Sequence, residues 1–183
     1  EGCITRNFDG NLQYNIPVMR TSKLDTISSP YTSGLLDKFF NGKLTPMVQT
    51  NRGCPFTCTF CVDGSDTVMK VNQFSMERVK NELNYIGQNV PKNIHALHFS
   101  DLNFGMFPRD LEVCDVINEV KEKYDYPTKI LTTTGKNKKE RIIESVKRLD
   151  GAITIGMSVQ SMDEQVLKNV RRQNISVDAM LGL

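Results

Sequence analysis

Short apolar runs and amphipathic segments alternate along the chain from residue 44 onward. The apolar runs predict strands over 45–49, 94–99, 128–133 and 152–159. Between them, apolar residues recur three and four positions apart, which is the period of a helix with one buried face. These segments predict helices that begin near Ser75, Pro108, Asn137 and Asp163. Strands and helices that alternate at this spacing indicate βα units around a parallel sheet, and therefore an α/β fold.

The first 43 residues have a different pattern. Asp9-Gly10 is a turn signal between short apolar stretches and predicts a hairpin. Residues 33–40 place four apolar side chains on one face and predict a short helix. We therefore expect a linker with a small hairpin over 1–43 and an α/β domain over 44–183.

Composition narrows the class of protein. The chain has 183 residues, of which 39% are hydrophobic and 24% charged, enough for a buried core. A net charge of +2 does not indicate nucleic acid as a partner. No apolar run is long enough to predict a membrane span, and no secretory leader is visible. The chain begins at Glu1 without Met and stops at Leu183 within a predicted element, so we expect a fragment of a longer protein.

Three of the five cysteines fall within eight residues, as Cys54, Cys58 and Cys61. Clustered thiols in an odd total favour metal chemistry in a reducing compartment, and we expect the cytoplasm. Thiolates are soft ligands that select zinc or iron–sulfur clusters. A structural zinc site needs a fourth ligand, and the remaining Cys and His residues are all distant in sequence. A 4Fe–4S cluster held by three thiolates would keep one iron open for a substrate or cofactor.

The spacing Cys54-x-x-x-Cys58-x-x-Cys61, with an aromatic residue at Phe60, resembles the signature of the radical S-adenosylmethionine (SAM) family. The resemblance implies a 4Fe–4S cluster on the three cysteines, with SAM bound to its fourth iron. Electron transfer then cleaves SAM to methionine and a 5′-deoxyadenosyl radical. The resemblance also implies a partial parallel (β/α) barrel with its site at the carboxyl ends of the strands. A reductant such as flavodoxin or ferredoxin is implied as a partner.

Two further stretches resemble a subgroup of that family whose members often carry a cobalamin-binding domain upstream. They are the run Gln49 to Phe56 around the first cysteine and the run Leu24 to Tyr31 in the linker. The resemblance implies cobalamin as a cofactor of the full-length protein.

The same resemblance implies the residues that contact SAM. Phe60 is expected at the adenine, and Asp101 is expected to accept from the amino group, with Asn103 as a weaker alternative. In part of the family a Gln at the end of the fourth strand is followed twelve residues later by an Arg that pairs with the SAM carboxylate. Gln160 and Arg172 have this spacing. A bidentate Arg–carboxylate pair suits such a clamp.

Two functions stay open from the sequence. The first is a radical SAM enzyme, and the second is a non-catalytic module that binds zinc or an iron–sulfur cluster with a remote ligand. The substrate is not indicated, because methylation, rearrangement, ring formation and sulfur insertion all fit the motifs.

Overall fold

The computed structural model describes residues 3–15, 21–65, 69–135, 137–153 and 158–174. Within these ranges the strands are β1 (Ile4–Arg6), β2 (Leu12–Tyr14), β3 (Met47–Val48), β4 (Asn51–Arg52), β5 (Asn72–Gln73), β6 (Ala96–Phe99) and β7 (Lys129–Leu131). The helices are α1 (Met76–Asn89), α2 (Arg109–Tyr124), α3 (Lys139–Arg148) and α4 (Glu164–Asn169). None of the described helices is long and apolar enough to cross a membrane.

A three-stranded parallel sheet in the order β3-β6-β7 forms the centre of the fold. Val48 pairs with Phe99 across β3 and β6, and Leu97 pairs with Ile130 across β6 and β7. Ile153 makes a further parallel bridge to Ile130, where the fourth strand is predicted. The predicted α/β class with a parallel sheet is confirmed. Residues 154–157, which fill the middle of the predicted fourth strand, lie outside the described residues.

The helix starts follow the capping signals in the sequence. The Ser75 hydroxyl accepts from the backbone N–H of Arg78 at 3.1 Å, and the Asp163 carboxylate accepts from that of Val166 at 2.8 Å. Both bonds satisfy N–H groups that have no partner within the helix. Gly87 does not end α1, although glycine often marks a helix end, because the helix continues to Asn89. Gly87 instead packs closely against Val120 and Tyr124 of α2.

The amino-terminal segment matches its prediction in part. β1 and β2 pair as an antiparallel hairpin, and Gly10 in its turn has a φ of 82°. The helix expected over 33–40 is wrong, because only one 3-10 turn forms, at Asp37–Phe39. Gly34 lies within that segment with a φ of 73°, which an α-helix does not accommodate. Two of the four apolar side chains of this segment, Leu36 and Phe40, still contact the core.

Tyr31 fastens the linker to the edge of the sheet. Its hydroxyl donates to the carbonyl oxygen of Met47 at 2.8 Å and accepts from the N–H of Met47 at 2.9 Å. β3 is an outer strand of the described sheet, and an uncovered strand edge is open to pairing with other chains. Ser29, two residues earlier, donates to the buried carboxylate of Glu82 on α1 at 2.6 Å. The linker from residue 21 therefore packs on the α/β domain, and the division at residue 43 stays a prediction.

The core lies between the sheet and the helices α1 and α2. Large side chains from both layers are fully buried there, among them Phe99, Phe104, Leu97, Ile130, Ile86, Ile117, Val113 and Val120. Burying one such side chain stabilises the fold by about 1.5–3 kcal/mol. The rings of Phe99 and Phe104 lie 5.3 Å apart, one at the carboxyl end of β6 and the other five residues later.

We expect Gly87→Ala to destabilise the protein by about 1–2 kcal/mol, because overpacking outweighs the gain in helix propensity. A Cβ at this position would lie 2.6 Å from Cδ2 of Tyr124 and 2.9 Å from Cγ1 of Val120. Urea unfolding measures the change. Gln88→Ala, at an exposed position in the same turn, is the control and should change stability by less than about 0.5 kcal/mol. A Gly87→Ala protein as stable as the wild type would contradict this packing.

Candidate functional site

The loop that carries the three cysteines leaves the carboxyl end of the sheet. β3 ends at Val48, and β4 and β5 then pair antiparallel, Asn51 with Gln73 and Arg52 with Asn72. This two-stranded ribbon closes the base of the segment 53–71, which we call the Cys loop. Gly53 opens the loop with a φ of 118°, a backbone conformation that side chains rarely adopt. The sequence pattern does not predict this ribbon of β4 and β5.

The cysteines lie on a tightly turned part of the Cys loop. Cys54 and Cys58 are buried and Cys61 is half-buried. The N–H of Cys61 donates to the carbonyl of Cys58 at 3.1 Å, and the N–H of Gly64 donates to the carbonyl of Cys61 at 3.0 Å. A Cβ on Gly64 would overlap the carbonyl oxygen of Cys58 and lie 3.0 Å from its nitrogen. Glycine is therefore needed for the backbone to approach Cys58 this closely.

Asp101 holds the start of the Cys loop against the sheet. Its carboxylate accepts from the N–H of Thr50 at 2.7 Å, from the N–H of Asn51 at 3.2 Å and from Nδ2 of Asn51 at 3.1 Å. It also accepts a short hydrogen bond from the Thr50 hydroxyl. Burial raises the pKa of Asp101, and the hydrogen bonds from Thr50 and Asn51 act in the opposite direction.

The side chain of Asp101 is 1% exposed. With four donors on two oxygens, the contacts of this structure assign Asp101 to positioning the loop. Direct contact between Asp101 and the SAM amino group stays a prediction, and these contacts do not favour it.

Arg109 supports the same ribbon from the first turn of α2. Its guanidinium donates to the carbonyl of Thr50 at 3.1 Å and, through a short bond, to that of Phe74. Burial lowers the pKa of Arg109, while the neighbouring carboxylates of Asp110 and Asp101 raise it. Sequence reasoning missed this residue. The adjacent Arg109-Asp110 pair at a helix start was the available signal, but helix termini carry such charges in many proteins.

Asn103 follows β6 and reaches the first cysteine. Its Nδ2 lies 3.4 Å from Sγ of Cys54, within hydrogen-bond distance for sulfur. The residue is 3% exposed, and its Oδ1 has no hydrogen-bond partner among the described residues. Asn103 is the weaker alternative to Asp101 in the sequence-based expectation, and neither residue type nor spacing indicates its contact with Cys54.

Phe60 and Arg172 lie together at the far side of the Cys loop. The guanidinium carbon of Arg172 is 6.0 Å from the centre of the Phe60 ring. Arg172 is 5% exposed, while Phe60 is 51% exposed and presents an aromatic face to solvent. The N–H of Thr59 donates to the carbonyl of Val170 at 3.1 Å and so ties this part of the loop to the end of α4.

The guanidinium of Arg172 donates to two neutral acceptors. It donates to Oδ1 of Asn174 at 2.7 Å and, through a short bond, to the carbonyl of Ser158. Within the described ranges it has no carboxylate at ion-pair distance, which is unusual for a buried cation. Gln160 is exposed, and its side chain makes no hydrogen bond to another described residue. The structure thus brings Phe60 and Arg172 together but does not join Gln160 to them.

The donor set suits a cluster bound through three thiolates. The described part of the chain contains no group of three His, Cys, Asp or Glu side chains gathered around a single ion. A 4Fe–4S cluster presents a separate iron to each cysteine and accepts hydrogen bonds at the sulfurs. The thiols of the Cys loop, and the amide donor beside Cys54, fit such a cluster.

Comparison with known proteins identifies the family. The profile of the Radical SAM superfamily matches residues 48–181, a range that holds the Cys loop and most of the sheet. The chain belongs to the radical SAM superfamily. This match confirms the family resemblance carried by the cysteine spacing.

Two curated relatives of this radical SAM chain are methyltransferases. The chain is 30% identical over 168 residues to the cobalamin-dependent radical SAM methyltransferase TokK of Streptomyces tokunonensis, covering 87% of this chain and 24% of TokK. It is also 30% identical over 171 residues to the 2-(S-pantetheinyl)-carbapenam-3-carboxylate methyltransferase of Streptantibioticus cattleyicolor, covering 88% and 25%. The chain spans about a quarter of the length of these relatives.

Solved structures share the fold. The radical SAM methyltransferase TsrM from Kitasatospora setae, with cobalamin and a 4Fe–4S cluster bound, matches with a TM-score of 0.60 at 12% identity, over 74% of this chain and 27% of TsrM. The cobalamin-dependent S-adenosylmethionine radical enzyme OxsB matches with a TM-score of 0.57 at 21% identity, over 98% and 27%. The parallel α/β fold of the radical SAM type is therefore confirmed.

We expect Gly64→Ala to reduce iron binding by about tenfold or more, the effect typical of changing groups that support metal ligands. The new methyl group would push the backbone of Cys58 away from its present position. Iron and sulfide content after anaerobic reconstitution gives the readout. Gly10→Ala is the matched control, because its Cβ would meet open space in the hairpin. Equal iron content in Gly64→Ala and wild type would show that the close approach is dispensable.

Burial of Asp110 makes the free energy of unfolding depend on pH. Burial raises its pKa from 3.8 to about 6, although the N–H of Phe107 donates to it at 2.9 Å. The folded chain keeps this proton at pH values where the unfolded chain has lost it. The contribution of Asp110 to stability is therefore complete below about pH 4 and is lost as the pH rises through about 6. A shift of about two units corresponds to about 3 kcal/mol.

We expect Asp110→Asn to gain stability relative to the wild type as the pH rises from about 4 to about 7, because the variant has no proton to lose. Urea unfolding at several pH values gives the difference between the two proteins. Asp9→Asn, at an exposed position in the hairpin turn, is the control and should not follow this trend. A difference between Asp110→Asn and wild type that is constant with pH would contradict the raised pKa.

Proposed function

We propose that this chain binds a 4Fe–4S cluster through Cys54, Cys58 and Cys61 and binds SAM at the iron that no cysteine holds. The observation that carries the proposal is the Cys loop itself. It places three thiols on a tight turn at the carboxyl end of a parallel sheet, within a chain of the radical SAM superfamily. Parallel sheets bind ligands at this end of their strands.

The chain's own residues prepare the cluster site by burial and by fixing the backbone. Asp101 and Arg109 hold the strand that leads into the loop, and Gly64 allows the last turn to close on Cys58. Burial of Cys54 and Cys58 excludes water from two of the three ligands. When bound, the cluster supplies the electron that SAM cleavage requires. The protein supplies the position, the dry surroundings and the hydrogen bonds.

Phe60 and Arg172 are the residues that we propose to contact SAM. The Arg172 guanidinium, which has no carboxylate partner among the described residues, suits the carboxylate of SAM, and the exposed ring of Phe60 suits the adenine. Gln160 follows the predicted fourth strand and remains in the proposal as a polar contact to the cofactor. The role that we propose for Asp101 is to position the Cys loop.

We further propose methyl transfer from SAM with cobalamin as the reaction of the whole protein. The curated relatives are named as methyltransferases, and TokK is named as cobalamin-dependent. The proposal places cobalamin outside residues 44–183, in a domain joined through the linker 1–43. A reduced flavodoxin or ferredoxin in the cytoplasm would deliver the electron. The substrate class of the methyl transfer is open.

The first experiment is anaerobic reconstitution with iron and sulfide, followed by electron paramagnetic resonance of the reduced protein. We expect about four irons per chain and a cluster signal that changes when SAM is added, because SAM would bind the open iron. Cys58→Ser should lose most of the iron, since it removes a buried ligand. Cys114→Ser is the matched control, because Cys114 is also buried but belongs to α2 and not to the Cys loop.

Each contrary result has a definite meaning. One zinc per chain without iron or sulfide would replace the proposal with a non-catalytic zinc module. A full cluster whose signal ignores SAM would favour an iron–sulfur module without enzymatic function. A Cys58→Ser protein that keeps its full cluster would overturn the assignment of the ligands.

A further inference from the structure

The contact between Asn103 and Cys54 lies outside the ligand set proposed above. Asn103 Nδ2 is 3.4 Å from Cys54 Sγ, and both residues are buried, at 3% and 6% exposure. Asn103 follows β6, whereas Cys54 lies beyond β4, so the contact joins two separate strand ends. A sulfur that ligates iron is a thiolate, and a thiolate accepts hydrogen bonds. The amide nitrogen is the atom of Asn103 that suits it.

We infer that Asn103 sets the reduction potential of the cluster by donating a hydrogen bond to the Cys54 thiolate. The inference rests on the proposed cluster and goes beyond it, because Asn103 is a positioning residue that acts through the ligand. A hydrogen bond to a ligating sulfur stabilises the extra negative charge of the reduced cluster and so raises its potential. In a buried site this effect is larger than at an exposed one, since water does not screen it.

The side-chain oxygen of Asn103 argues against a purely structural role for this residue. Oδ1 of Asn103 is buried without a hydrogen-bond partner among the described residues. An unsatisfied buried acceptor destabilises a fold, so Asn at this position does not serve stability. Asp101, two residues earlier, shows the contrast, because both of its oxygens are engaged with Thr50 and Asn51. The structure keeps an amide beside Cys54 although the amide oxygen has no hydrogen-bond partner within the described ranges.

The test compares Asn103→Leu and Asn103→Asp with the wild type, each reconstituted and purified without oxygen. Leu has a similar size and donates no hydrogen bond, and Asp has the same shape but presents a negative oxygen to the sulfur. Asn118→Leu is the matched control. It makes the same change at a half-buried Asn whose Nδ2 donates to the carbonyl of Arg148 at 2.7 Å.

The primary readout is the midpoint potential of the cluster without SAM, from a redox titration followed by electron paramagnetic resonance. We expect Asn103→Leu to disfavour reduction about tenfold, which is about 59 mV for one electron. Asn103→Asp should disfavour it more, and Asn118→Leu should match the wild type. Urea unfolding of the cluster-free proteins is the second readout, and Asn103→Leu should be at least as stable as the wild type.

Failure of the inference is distinct from failure of the proposed function. A wild-type protein that binds no cluster would contradict both the proposed function and the inference that rests on it. Clusters of equal potential in wild type, Asn103→Leu and Asn103→Asp would overturn the inference alone. Loss of the cluster from both Asn103 variants, with Asn118→Leu intact, would also overturn it, by assigning Asn103 to assembly of the site.

Discussion

The position of the Cys loop depends on the hydrogen bonds of the Asp101 carboxylate, which lies just beyond the carboxyl end of β6. This carboxylate binds the backbone and side chains of Thr50 and Asn51, which lie at the start of β4. The Cys loop begins two residues later, so the position of Cys54 follows from this contact. Parallel strands bring these segments to one edge of the sheet, although they are about fifty residues apart in sequence. The sheet therefore orients the Cys loop, and the backbone of the loop in turn sets the positions of its cysteines.

Burial of charge accompanies this arrangement. Asp101 and Asp110 are each 1% exposed, and Arg109, the first residue of α2, donates to the carbonyls of Thr50 and Phe74. Burying these groups costs free energy, and the hydrogen bonds to backbone atoms offset part of that cost. The same hydrogen bonds hold the backbone that leads into the Cys loop, and a site with three metal ligands needs such support.

The sequence predicts what depends on local pattern and spacing. The parallel sheet, the caps at Ser75 and Asp163, and the family follow from periodicity, capping residues and cysteine spacing. Contacts between distant segments are different, because residue type alone does not give the partner. Asp101 is predicted at the cofactor, and the pattern does not indicate that its oxygens accept from Thr50 and Asn51, just before the Cys loop. The β4–β5 ribbon has two residues per strand, too few for an alternating pattern to identify it.

The central claim is that three cysteines hold a cluster with one distinctive iron. Mössbauer spectroscopy of the protein reconstituted with ⁵⁷Fe, recorded with and without SAM, measures this most directly. The account predicts a spectrum of a 4Fe–4S cluster in which the signal of one iron in four changes when SAM is added. Four equivalent irons that do not respond to SAM, or a protein that takes up no iron, would contradict it.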